Sequence, residues 1–146
     1  MKLIALCALF ATITTATEAA PQDTTTASFE VRVIAAARER RPTRDPDISP
    51  RMARQLGRTF SKFNSFKLVK LVTFRAAANV KSPMALPGFE HPLQLTYLGM
   101  KKNFIRIYLE LLGLRTQVRV HNGGTFFHAT QRRRSLTIIA VTSRVP

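Results

Sequence analysis

The chain has 146 residues, of which 23 are basic and 8 acidic, giving a formal net charge of +15 and a sequence pI near 11.6. A single cysteine, Cys7, excludes an internal disulfide framework, and neither the apolar run at 3–13 nor any later segment reaches the ~18 continuous apolar residues that mark a membrane-spanning helix. The charge excess, with arginine outnumbering lysine 16 to 7, calls for a negative neighbour: anionic lipid, envelope polysaccharide, nucleic acid or an acidic protein.

In chain order, Lys2 and the apolar residues 3–13 have the charge and length of a secretory signal, and small residues follow through 14–20. Cleavage is expected after Ala19 or Ala20, with Pro21 favouring Ala19. Leu6 stands where a lipobox needs a small residue, which argues against lipid attachment at Cys7. The chain then divides into a signal peptide at 1–20, a Thr-rich flexible lead at 21–28 and a single domain at 29–146. Processing leaves a cysteine-free product of about 126 residues, ample for one hydrophobic core.

Residues 30–37 alternate apolar and polar with the period of a half-buried strand. Two prolines and dense charge make 38–47 a loop. Ser49-Pro50 is a helix start, and the pattern runs to about Phe63. Met52, Leu56, Phe60 and Phe63 share one face, while Arg51, Arg54, Arg58 and Lys62 form a basic ridge on the other. Residues 66–77 read as a long strand whose inner face Lys70 interrupts, as at a bulge or an edge. Pro83, Pro87 and Pro92 mark an irregular connection.

Strands follow at 93–98, 104–112 and 114–120. Ile105, Ile107, Leu109 and Leu111 lie on one side of the second of these. Asn122-Gly123-Gly124 signals a hairpin, with 125–128 returning from it. A basic loop at Arg132, Arg133 and Arg134 leads into a last strand at 136–145. The order implies an α+β domain, a mostly antiparallel sheet of about six or seven strands with one amphipathic helix packed on it.

D-P-D-I-S-P, F-N-S-F-K-L, L-Q-L-T-Y-L-G, H-N-G-G-T and the closing L-T-I-I-A-V together resemble small, uncharacterised exported proteins of bacterial envelopes. That resemblance implies location and fold and carries over no activity. More narrowly, H-N-G-G-T-F-F and S-L-T-I-I-A-V-T-S-R-V are similar to the last strand pair of secretins. His128 and Ala129 stand where those proteins have paired glycines, so pore formation does not transfer.

No catalytic signature is present. His91, His121 and His128 lack metal-ligand spacing, and only His121 and His128, flanking the Asn-Gly-Gly turn, are placed to face each other as half a metal site. Asp45 and Asp47 are read as favouring the helix N-terminus, and Glu110 as pairing with Arg106. Glu90-His91 has no placed nucleophile beside it. No cofactor is implied.

The expectation is therefore a non-enzymatic exported envelope protein that uses Arg51, Arg54, Arg58, Lys62 and Arg132 to Arg134 to bind anionic lipid, polysaccharide or an acidic partner. Its contact with membranes would be peripheral, and chromosomal DNA is disfavoured by export and by the lack of regularly placed aromatics. The alternatives are a structural accessory of a secretion or pilus apparatus acting by strand addition, and a small hydrolase or metal enzyme.

Overall fold

The computed structural model describes residues 26–146. The signal segment with Cys7, its cleavage site and the lead as far as Thr25 lie outside the described residues. Eight strands and one helix follow in the order β1 (Thr26–Ala37), α1 (Pro50–Thr59), β2 (Ser65–Ala77), β3 (Lys81–Met84), β4 (Leu93–Lys101), β5 (Phe104–Leu111), β6 (Leu114–His121), β7 (Thr125–Arg132) and β8 (Ser135–Arg144).

The strands form two antiparallel sheets of four, not one sheet of six or seven. Their orders are β2-β1-β8-β7 and β3-β4-β5-β6. Alternation along each strand explains how they stack. In the first sheet Phe29, Val31, Val33, Ile139 and Val141 turn one way, in the second Leu95, Tyr97, Ile105, Ile107 and Leu109 turn to meet them, and all are buried in one core. Ile34, Ala36, Leu136, Ile138 and Ala140 turn the other way and pack under α1 with Met52 and Leu56. The domain is thus a mostly β sandwich with a helix laid on one outer face. The hydroxyls of Tyr97 and Ser143 are buried in the core without a protein partner among the described residues.

The helix starts where Ser49-Pro50 places it: the Ser49 hydroxyl accepts from the Met52 amide at 3.3 Å and Pro50 opens the first turn. It ends at Thr59, so Phe60, Phe63 and Lys62 belong to the turn beyond it. Phe60 and Phe63 still pack on the sheet, Phe60 edge-on to Phe127 at 6.0 Å. The first turn of α1 contains no acidic residue. Asp45 instead binds backbone, its carboxylate accepting from the Asp47 amide at 2.9 Å and from the Leu68 amide of β2 at 2.8 Å. The charged segment between β1 and α1 is therefore stitched to β2, where Arg44 also bridges Phe66.

Lys70 stands beside both of the features its charge suggested. The strand β2 is an edge, and its pairing with β1 slips between Val33–Lys70 and Ile34–Leu68, leaving Val69 as the extra residue. The bulge turns Phe66 and Leu68 toward α1 while Phe74 stays with the sandwich core. The Lys70 ammonium escapes burial by donating to the Ala85 carbonyl at 3.3 Å.

Three expected boundaries shift. The first strand already runs from Thr26, and Ala27 is part of the core. A short strand, β3, runs through Pro83 in the stretch read as irregular; it is an edge strand, where a missing amide is tolerated. And Asn122-Gly123-Gly124 does not close a hairpin: it is the corner at which the chain leaves the second sheet for the first.

Candidate functional site

The basic ridge is exposed as a group. Arg51, Arg54 and Arg58 face solvent on α1, with Lys62 exposed in the turn after it. Because Leu136 pairs with Ala36, the turn joining β7 to β8 lies at the end of the first sheet where β1 gives out into the charged segment before α1. Arg133 and Arg134 are exposed in that turn, with Arg132 closing β7, and Arg38, Arg40, Arg41 and Arg44 are exposed in the segment. The turn and the segment before α1 thus bring two basic groups to one end of the first sheet, while the ridge faces solvent from the helix laid on that sheet's outer face.

The histidines are separated. Val120 is buried in the sandwich, so His121 beside it turns outward, where its ring lies 4.2 Å from that of Phe104. His128, on β7, lines a small apolar gap between the sheets with Leu109, Leu111 and Phe126. The two therefore do not form half a metal site, because the turn between them is a corner between sheets. Among the described residues no three of His, Cys, Asp or Glu come close enough to hold a metal ion. Glu90 and His91 share an open hollow of about 540 Å³ with Glu110. Glu110, however, accepts from Arg115 at 2.9 Å, not from Arg106. The Arg106 guanidinium donates instead to the Leu98 carbonyl at 2.6 Å.

The first sheet's outer face beyond α1 is bare. There Glu30 pairs with Arg32, whose pKa burial lowers, and Glu30 borders a hollow of about 420 Å³ with Ser28, Thr73, Arg75, Thr142 and Arg144. Arginine's very high intrinsic pKa keeps Arg32 charged throughout the physiological range.

A second cationic cluster has no counterpart in the sequence reading. On the outer face of the second sheet, Lys101, Lys102, Arg106 and Arg119 border a hollow of about 350 Å³ with Phe104. Its members are scattered over three segments. Only the register, Lys101 opposite Phe104 and Arg106 opposite Arg119, brings them together.

The corner at 122–124 is the other feature whose role exceeds its sequence signal. Asn122 clasps the end of the chain, its amide nitrogen donating to the Val145 carbonyl at 3.0 Å and its amide oxygen accepting from the Val145 amide at 2.9 Å. Gly123 and Gly124 add backbone bonds to Ser143.

No helix among the described residues is long and apolar enough to cross a membrane. Comparison with protein-family models, curated proteins and solved structures finds no match to the chain.

Proposed function

We propose that the protein is an exported, non-enzymatic interaction module that docks peripherally on an anionic envelope surface through the basic end of its helix-bearing sheet. The observation that carries this reading is that Arg51, Arg54, Arg58 and Lys62, Arg133 and Arg134, and the arginines of the segment before α1 are all solvent-exposed on the helix-bearing sheet and its connections. Each basic residue near an anionic lipid surface contributes about 1 kcal/mol, so the four ridge positions supply on the order of 4 kcal/mol before entropy and screening reduce it. The test is sedimentation with anionic and neutral vesicles and with acidic polysaccharide, at low and physiological salt. The expected result is salt-sensitive retention on the anionic surfaces, cut at least tenfold when glutamine replaces all four ridge residues. Equal retention of parent and folded variant would overturn the reading.

A second reading, strand addition to an envelope apparatus, draws on the edge strand β2, where Val69 and Leu71 are 49% and 46% exposed. The Val69 bulge and the neighbouring Lys67 and Lys70 oppose it, since bulges and edge lysines discourage further pairing. Binding by added strand would persist at high salt, whereas binding through the ridge would not.

A further inference from the structure

We infer that the outer face of the second sheet carries a diphosphate site, formed by Lys101, Lys102, Arg106 and Arg119 around a hollow whose apolar wall is Phe104. It goes beyond the ridge and does not depend on it. The hollow, about 350 Å³, has the volume of a small-ligand site rather than of a single ion.

The electrostatics point to an anion. Arg106 and Arg119 are directly opposite on β5 and β6, a placement in which like charges repel. Neither ion pair formed among the described residues, Arg32–Glu30 or Arg115–Glu110, relieves them. Glu110 is on the same face of β5, four residues from Arg106, but its carboxylate is engaged by Arg115. The Leu98 carbonyl holds the Arg106 guanidinium in place, so this group is ordered before any ligand arrives.

Lys102 adds a further sign. It sits in the two-residue turn between β4 and β5 at φ 49°, next to Asn103 at φ 66°. Glycine or asparagine would take that left-handed position with less steric cost, yet a lysine there sets a fourth cation at the rim.

Charge balance selects the ligand class. A single phosphate monoester carries about −1.5 to −2 at neutral pH, which leaves four cations about half compensated, whereas a diphosphate monoester, with up to three ionisable oxygens, compensates more of them and spreads its charge over two phosphorus centres. Planar guanidinium groups suit such oxygens because they donate in pairs. The Phe104 ring, tilted against that of His121, offers an apolar border to whatever organic group the diphosphate carries. Two sources share this chemistry: a soluble diphosphate ester and a lipid-linked diphosphate at the membrane surface.

The experiment is calorimetric titration of the protein with inorganic pyrophosphate, orthophosphate and sulfate at physiological salt, with amide chemical shifts recorded in parallel. Pyrophosphate is expected to bind one to one, at least tenfold tighter than the other two, and to shift residues 101–106 and 119–121. Arg119→Gln should weaken it at least tenfold. Lys102→Gly should do the same while easing the turn, so lost binding cannot be ascribed to lost structure. The four-glutamine ridge variant should bind pyrophosphate within twofold of the parent, which separates this site from the vesicle result above. Retention on neutral vesicles doped with a lipid diphosphate, competed by pyrophosphate, would support the lipid source; binding in solution without such retention would support the soluble one. Pyrophosphate no tighter than sulfate, or binding indifferent to both substitutions, would overturn the proposal. So would a single-stranded oligonucleotide that binds tighter than pyrophosphate and gains affinity with length, the behaviour of a strand-binding face.

Discussion

Asp45 shows how one acidic residue in a basic chain acquires a structural role. Its carboxylate accepts two backbone amides, and these, from Asp47 first and Leu68 second, hold its pKa below the usual carboxylate value; partial desolvation opposes them and Lys67 adds a smaller effect in their favour. A carboxyl whose folded pKa is depressed contributes stability that is fully present above its unfolded pKa, near 3.9, and is lost as pH falls through the lower folded value. Asp45→Asn keeps one acceptor and loses the charge, so it should be less stable than the parent at neutral pH, with the difference shrinking below about pH 4. Denaturant unfolding of both proteins from pH 7 to pH 2.5 checks this; a constant difference would mean that the charge plays no part. The sequence shows Asp45 and Asp47 flanking Pro46 before a helix, and the obvious inference is a helix N-terminus. The bond to Leu68 depends on where β2 runs, which local pattern does not encode.

At the level of elements, the corner between β6 and β7 is the joint on which the sandwich closes. Asn122 ties it to Val145, and Gly123, at φ 79°, turns the chain. Gly124 is needed for space: a Cβ there would lie 2.9 Å from both the His121 carbonyl oxygen and a Val120 methyl. Gly124→Ala must push backbone or a buried valine aside and should cost roughly 1–3 kcal/mol, the range for overpacked sites. Thermal unfolding measures it, and a variant as stable as the parent would show that the corner yields freely. The neighbouring elements explain why local pattern misplaces this joint. Ile105, Ile107, Leu109 and Leu111 are buried as their alternation requires, and Ser49-Pro50 caps α1, because both features are local. Asn-Gly-Gly is just as local, but it specifies only a tight reversal, and a reversal between sheets looks the same in sequence as one within a sheet. The strand through Pro83 escapes the sequence reading for a related reason: proline forbids a central strand and tolerates an edge, and only topology separates the two.

For the molecule as a whole, burial patterns were legible and sheet membership was not, since a residue facing the core alternates in the same way in one sheet or two. The sites divide similarly. The three ridge arginines on α1 follow from helical spacing within one segment, while the diphosphate cluster requires the register of three. Net charge is plain from composition alone, and it has a consequence for the entire fold. With +15 on so small a domain and Arg32–Glu30 and Arg115–Glu110 the ion pairs formed among its described residues, self-repulsion outweighs pair attraction and works against the compact state. At 0.01 M salt the screening length is about 30 Å, longer than the ~14 Å radius of gyration of a domain this size, so the excess positive charges repel one another across the whole domain. At 0.15 M it falls to about 8 Å and only near neighbours interact. Stability should therefore rise with sodium chloride over this interval, and a gain of about 1 kcal/mol would lift the Tm by roughly 3 to 6 °C. The ridge variant, with four fewer charges, should melt higher than the parent at low salt and gain less from added salt, even as it loses affinity for anionic vesicles. Calorimetric melting of both proteins across that range decides the matter. A parent whose Tm falls with salt would show that attractive pairs dominate after all; the opposite trend, paired with weakened vesicle binding, would mean that the ridge charges are held against the interest of the fold and for the sake of a negatively charged partner.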